Sequence, residues 1–424
     1  MMKLHSQLVT IGTTAVVASA LTIFARNFIS GEKKIKHRIA QRYGISDPQF
    51  ERSMSQLLGP PILDGNLVTP LHNGVQIFPA MLAAIEGAER SITFETFIYS
   101  KGVTAQRFAD ALSAKARQRV KVHLLVDGVG CNCVTGPEIR QMVDAGVEVE
   151  VYHLSNFART NHRTHRKILV VDGRIGFTGG VGIGDLWEGN ASSPEEWRDS
   201  HYQVEGPVVA QMQAAFLDNW MKTRAVVLHG EEYFPALMPA GPHRCQMFKS
   251  SPMEGSESAR LMYLLSIVAA EKSIKIGSAY FVPDDLTHQT LLEAIDRGVS
   301  VEVLLPGGHM DSRVVQAASR HRWGDLLKRG VRIFEFQPTM YHCKLMIIDD
   351  LWTSVGSANF DNRSFRLNDE ANLNVINREI ASTETKAFVQ DRERSREVTY
   401  GDWMNRPAWQ KVTDASAALL RSQL

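Results

Sequence analysis

The chain has 424 residues, 44% hydrophobic and 22% charged, with 47 Lys plus Arg against 46 Asp plus Glu and four cysteines. That length exceeds one average domain and suits two, the balanced charge lacks the basic excess of a dedicated nucleic-acid binder, and so few cysteines exclude a disulfide scaffold. A mean hydropathy of −0.16 excludes a polytopic membrane protein.

The first predicted element runs from Ser6 to Ala25, a stretch without a charged residue. Its length matches the roughly 20 residues that cross a bilayer core as a helix. A cleaved signal peptide, with the small residues Ala18, Ser19 and Ala20 at its end, and a buried soluble helix are the alternative readings. The downstream flank favours a retained membrane helix. Arg26, Lys33, Lys34, Lys36, Arg38 and Arg42 follow it with only Glu32 among them, and Lys3 precedes it. That asymmetry puts the body on the cytoplasmic side, and the cluster suits anionic headgroups at about 1 kcal/mol per basic residue. Residues 1–45 are therefore read as a membrane anchor and its basic flank.

Beyond residue 65 the chain repeats itself. Ala88-Glu89-Arg90-Ser91-Ile92 recurs as Ala270-Glu271-Lys272-Ser273-Ile274, each opening a β-branched stretch, Ile92–Tyr99 and Ile274–Val282, that predicts a strand. A helical pattern and a second strand follow in each copy, Val120–Val126 matching Val299–Leu305. Ala145–Val149 and Arg329–Ile333 then each predict a helix end running into a strand. Strands alternating with helices define an α/β fold, and a period of about 180 residues is too long for a solenoid, so the domain is duplicated. The lobes are placed at 65–230 and 245–424, joined near Ala225–Ser250, where Pro235, Pro239 and Pro242 interrupt any periodicity.

Both copies carry the same polar triplet, H-x-K-x4-D. The first is His165, Lys167 and Asp172; the second is His342, Lys344 and Asp349, and each lies seven residues before Gly179-Gly180 or Gly356-Ser357. The four apolar residues after each Lys suit a buried strand. On a strand, residues two apart share a face, so each half offers one imidazole and one ammonium side by side. Two lysines neutralise a phosphodiester, one neutral His attacks phosphorus, and the other protonates the leaving alkoxide. A phospho-histidine then splits the displacement into two steps. One motif cannot supply nucleophile and acid on opposite sides of phosphorus, which accounts for the duplication.

The chain resembles the phospholipase D superfamily, and within it the bacterial cardiolipin synthases. Beyond the triplets, the resemblance is carried by Phe94-Glu95-Thr96-Phe97-Ile98-Tyr99, Trp197-Arg198-Asp199, Ala279–Asp284, Gly356–Phe365 and Leu367-Asn368-Asp369-Glu370. It implies two α/β sandwich lobes sharing one active site, after the N-terminal hydrophobic helix. It implies His165 as nucleophile, His342 as general acid/base, and an orienting carboxylate downstream of each histidine, with Asp199 and Glu370 in the matching motifs. Lys167, Lys344 and Asn359 would bind phosphate oxygens, while Asp172 and Asp349 would support their own strands and loops. No cofactor or metal is implied; the sequence has no H-E-x-x-H, and Cys131-x-Cys133 has no second ligand pair nearby. One departure stands out: where the second motif has Asn359, the first has Gly182. The glycine run there does not make a dinucleotide loop, because Asp185 stands where the last Gly of G-x-G-x-x-G belongs.

The implied reaction converts two phosphatidylglycerol molecules to cardiolipin and glycerol, without ATP, at the inner membrane of a bacterial cell. The expected partners are the phospholipid and the membrane, with no nucleic acid, and the oligomeric state stays open. A phospholipase D-type hydrolase releasing phosphatidic acid and a non-catalytic lipid-binding scaffold are the rival readings.

Overall fold

The computed structural model describes residues 11–15, 17–19, 22, 35–131, 135–152, 162–252 and 257–424. Most of the predicted anchor, and Cys133, lie outside the described residues. Among them, no helix is long and apolar enough to cross a membrane.

The first half supplies β1 (Leu63–His72), β2 (Ser91–Thr96), β3 (Lys121–Asp127), β4 (Glu148–Tyr152), the short β5 (Arg163–Thr164), β6 (Ile168–Val171), β7 (Ile175–Gly179) and β8 (Ser200–Glu205). The second supplies β9 (His243–Ser250), β10 (Ser273–Ser278), β11 (Phe281–Val282), β12 (Ser300–Pro306), β13 (Arg332–Phe336), β14 (Lys344–Ile348), β15 (Trp352–Gly356), β16 (Phe360–Asp361), β17 (Asn368–Ile376) and β18 (Ser395–Val398). All but β11 and β16 belong to one sheet. At its centre β1 and β9 pair antiparallel. Outward from that seam the halves run alike, β1-β8-β7-β6-β2-β3-β4 on one side and β9-β17-β15-β14-β10-β12-β13 on the other, with β18 added at the second edge. The duplication read from sequence is thus a duplication of topology.

The apolar runs behind each Lys become β6 and β14, buried throughout, as strands covered on both faces require. One apolar cluster crosses the seam, joining Val68, Ile168, Val170 and Val204 of the first lobe to Met247, Leu345, Ile347, Val355 and Leu373 of the second. The lobes therefore pack as one body around the seam. The helix Pro48–Leu57 falls between the segments expected from sequence. Its Phe50 and Met54, with Ile45 and Leu58, sit in the core of the second lobe, and Phe50 meets the Trp352 ring edge-on at 4.9 Å.

Asp172 and Asp349 end β6 and β14 at the far end from the lysines, in turns where both take a positive φ (52° and 51°). Asp172 accepts hydrogen bonds from the backbone N–H groups of Glu89, Arg90 and Ser91 at 2.7–2.9 Å. Asp349 does the same with Glu271, Lys272 and Ser273 at 2.7–2.8 Å. The repeated Ala-Glu-Arg/Lys-Ser segment is the cradle for this carboxylate. The two aspartates belong to the motif by spacing but stay away from the paired histidines, because their oxygens are taken up in tying a turn to the start of β2 or β10. Asp172→Ala strands three N–H groups, so we expect a loss of about 1–3 kcal/mol in thermal or denaturant unfolding, with turnover per folded molecule largely kept.

Candidate active site

The residues just before each histidine reach into the opposite lobe. β5 pairs parallel with the start of β17, Thr164 opposite Asp369, and the His165 N–H donates to the Asp369 carbonyl at 2.9 Å. In the mirror position Tyr341 bridges Arg198, and the His342 N–H donates to the Arg198 carbonyl at 2.7 Å. This exchange places each imidazole next to the residue after its backbone partner. His165 Nδ1 lies 3.0 Å from both Glu370 carboxylate oxygens, and His342 Nδ1 lies 2.7 Å from Asp199 Oδ2. Each histidine is thus held by the carboxylate of the other lobe. With Nδ1–H given to the carboxylate, the neutral imidazole keeps its lone pair on Nε2.

Both carboxylates are fully buried and well supplied with donors. Glu370 accepts from the hydroxyls of Ser357 (2.5 Å) and Ser364 (2.8 Å), and from Asn368 Nδ2 at 3.3 Å. Asp199 accepts from Trp187 Nε1 at 3.0 Å and from the Ser200 N–H at 2.8 Å. Burial alone raises such groups, yet both stay below the ordinary carboxylate range. For Glu370 the opposing charges are His165 and Lys167; for Asp199 they are His342 and Lys344.

Lys167 and Lys344 are also buried, and each Nζ donates to the carbonyl of its own motif histidine, Lys167 at 2.6 Å. Lys167 Nζ also sits 5.4 Å from the centre of the Phe97 ring, whose edge meets His165 at 5.2 Å. Burial pushes the Lys167 ammonium down to about 7, Glu370 opposes that, and Lys344 adds to it. Lys344 is lowered too, chiefly by burial. His165 is driven down to about 4 by burial, against the pull of Glu370 and with help from Lys167 and Lys344. His342 is lowered by burial and by Lys344. The two motifs therefore converge on one site where burial lowers the proton affinity of two imidazoles and two lysines. Its chemistry asks for an anion.

Asn359 donates its backbone N–H to Ser364 Oγ at 3.0 Å, and its side-chain Oδ1 is buried without a hydrogen-bond partner. The two halves differ at its counterpart. A Cβ on Gly182 would lie 2.8 Å from Ile98 Cβ and 3.1–3.2 Å from the Trp187 ring, and one on Gly180, the counterpart of Ser357, would meet Asp199 at 2.1 Å. Asp199 takes the room at Gly180, and Ile98 and Trp187 take that at Gly182. Trp187 gives Asp199, through its indole N–H, the donor that Ser357 gives Glu370. With Trp197 it also encloses His342, both ring centroids lying 5.4 Å from the imidazole. Gly182 is thus a steric demand of Ile98 and Trp187 together. Restoring the symmetric motif with Gly182→Asn should displace the indole and lower turnover about 10-fold or more, read as initial rate per folded molecule; an unchanged or higher rate would contradict this packing account.

Three further residues escaped the sequence reading. Trp187 follows no periodic signal and is found only by what it touches. Arg198, although part of Trp197-Arg198-Asp199, turns out to clamp the lobes: it is buried and bonds both Asp391 oxygens at 2.9–3.0 Å and Ser200 Oγ at 3.0 Å. Arg166, the variable position of the first motif, has no exposed surface and reaches Ala215 O (2.7 Å) and Asp218 (3.1 Å) behind the sheet.

A duplicated sheet whose two His-Lys motifs meet at crossed carboxylates defines the class, a phospholipase D-like enzyme. A family model described as "Cardiolipin synthase, PLD-like domain" matches residues 81–186 and 263–392. The chain is 36% identical over 356 residues to "Cardiolipin synthase A" of Pseudomonas putida, covering 83% of this chain and 73% of the relative. It is 35% identical over 351 residues to the same-named protein of Pseudomonas fluorescens, covering 82% and 73%. Among solved structures, phosphatidylserine synthase of Haemophilus influenzae shares the fold with a TM-score of 0.69 at 13% identity, over 89% of this chain and 100% of that one. The chain belongs to the cardiolipin synthase, PLD-like family.

Proposed function

We propose that the chain is a phosphatidyltransferase that joins two phosphatidylglycerol molecules into cardiolipin and releases glycerol. Family membership and the name of its relatives support the reaction. The crossed His–carboxylate pairs are the observation that carries the mechanism. His165 Nε2 attacks phosphorus and forms the P–N bond as the P–O bond to glycerol breaks, and the departing alkoxide takes a proton from His342. The headgroup hydroxyl of a second phosphatidylglycerol then returns a proton to His342 and attacks phosphorus, and His165 leaves. Lys167, Lys344 and Asn359 hold the non-bridging oxygens. Burial of the site favours an alcohol over water as acceptor. The run Ser6–Ala25 acts as an N-terminal anchor that keeps the body at the cytoplasmic face of a bacterial inner membrane.

Phosphatidylglycerol labelled in its terminal glycerol should yield free labelled glycerol and cardiolipin in equal amounts. Phosphatidic acid as main product would replace this reading with hydrolysis, and silence on every phosphodiester would end it.

The lowered proton affinity of the site has a measurable consequence. Lys167, at about 7, and the two lowered histidines bind fewer protons than the same groups in water. By linkage, the anion-free protein gains stability with rising pH wherever the unfolded chain binds more protons. For His165 this runs from about 4 to its unfolded value near ~6.5, and for Lys167 from about 7 to near ~10.4. A bound anion raises these groups again. Sulfate, which does not titrate near neutrality, should therefore bind with net proton uptake at pH 7.5, measured calorimetrically in two buffers of different ionisation enthalpy. Net release would contradict the proposed anion site.

A further inference from the structure

The last helix, Ala408–Ala418, docks on the second lobe by its inner face only. Ala417 is buried among Val282, Val315, Ala317 and Ala318. Asp414, fully buried, pairs with Arg320 at 3.3 Å and Arg406 at 2.9 Å. The outer face carries Trp409 (70% exposed), Val412 (66%) and, immediately after the helix end, Leu419 (84%) and Leu420 (53%). These positions recur at helical spacing, so they form a stripe rather than scattered exposure. Asp414 is the one acid between Trp403 and Leu424, and it is turned inward; Lys411 is exposed, while Arg406 pairs with Asp414 and Arg421 with Asp285.

Two neighbours say what covers the stripe. Arg421 and Ser422, at its end, share a cavity of about 320 Å³ with Ile35, Lys36, Arg260 and Arg366, and with the acidic Asp284 and Asp285. Residues 35–36 thus lie by the residues that directly follow the stripe, and the uncharged run Ser6–Ala25 and its basic flank lie upstream in sequence. The residues after the helix also touch an element that supports the active site. Asn362 Nδ2 donates to the Arg421 carbonyl at 3.0 Å and the Arg363 N–H to Leu424 O at 3.0 Å, on the short helix Asn362–Arg366 whose Ser364 holds Glu370.

We propose that the outer face of this helix is a second membrane contact, lying in the plane of an anionic bilayer with Trp409 at the headgroup level and Val412, Leu419 and Leu420 among the acyl chains. An aromatic with aliphatic neighbours, a lysine alongside and no acid on the helix's own outer face is the composition of an interfacial helix. The proposal rests on the phospholipid reading above for the chemistry of its partner. It gives the chain two attachments on one face and sets the active-site helix Asn362–Arg366 close to the lipid surface.

The test uses the full chain and vesicles of phosphatidylglycerol brominated in the acyl chains, which quench tryptophan only at contact range. Quenching should be strong for the wild-type chain, mostly lost in Trp409→Phe, and weaker in phosphatidylcholine vesicles of the same bromine content. Equal quenching in wild type and Trp409→Phe overturns the proposal. The triple variant Val412→Ser/Leu419→Ser/Leu420→Ser should raise the apparent KM for vesicular phosphatidylglycerol about 10-fold while leaving turnover of dispersed short-chain substrate unchanged. An unaltered vesicular KM would count against it. A wild-type dimer in sedimentation that the triple variant loses, without lipid quenching, would assign the face to a second copy instead. The quenching needs no turnover, so failure of the proposed reaction leaves it readable.

Discussion

His165→Ala and His342→Ala should each lower cardiolipin formation on the order of 10⁴-fold, about 5.5 kcal/mol in the barrier, but they should fail at different steps. Without His165 no P–N bond forms, so no radiolabelled phosphatidyl adduct should be trapped from any substrate. Without His342 the attack is intact and protonation of the leaving alkoxide is lost. A phosphodiester with a leaving group that needs no proton, such as a nitrophenolate, should still load His165 and then stall, because nothing deprotonates the acceptor. An adduct in His165→Ala, or none in His342→Ala with the activated substrate, would exchange the two roles. Each variant leaves a buried carboxylate without its imidazole and should melt earlier. Activity is therefore compared per folded molecule, with the melting curve separating lost chemistry from lost structure.

The geometry gives the two histidines unlike surroundings despite their like motifs. His165 faces Phe97 and a carboxylate with three side-chain donors; His342 is enclosed by Trp187 and Trp197 on a carboxylate with one indole donor and one backbone donor. A nucleophile and an acid/base need different environments, and divergence of two copies supplies them.

How much of this was legible in the sequence follows from the range of each interaction. The triplets, the buried strands behind the lysines and the doubled order of elements rest on local spacing, and the fold has them where the spacing puts them. Asp199 and Glu370 were also found as orienting carboxylates. Reading each as the downstream partner of its own motif histidine is corrected by the fold, which crosses the pairs. The pairing is set by the exchange of Thr164 and Tyr341 into the opposite lobe, a contact between residues far apart in sequence that no local pattern encodes. With Asn359 read as a phosphate ligand, Gly182 reads from sequence as the loss of one, and only the positions of Ile98 and Trp187 show why no side chain fits there. Asp172 and Asp349, inseparable from the motif by spacing, stand at the far end of their strands, where alternation along a strand says which face a residue takes but not what it reaches.

The crossed pairing also predicts how the carboxylates behave when neutralised. In Glu370→Gln and Asp199→Asn the amide keeps the shape of the side chain and loses its charge. Its NH₂ can then donate to Nδ1, which moves the imidazole proton to Nε2 and removes the lone pair needed for attack or for accepting a proton. A loss of about 10²–10⁴-fold is expected for each. The lobes make the outcome specific. Glu370→Gln, in the second lobe, should slow adduct formation on the first-lobe His165. Asp199→Asn, in the first lobe, should let the activated substrate form the adduct at near wild-type rate and should block its transfer to the acceptor, which depends on His342. Loss in the opposite order would mean that each carboxylate serves the histidine of its own lobe. The pH profile carries the same sign: removing either negative charge leaves its histidine further from protonation, so the acid/base limb assigned to His342 should move to lower pH in Asp199→Asn and stay in place in Glu370→Gln. Two substitutions, one in each half, thus test whether the duplicated chain works as two sites or as one shared between its halves.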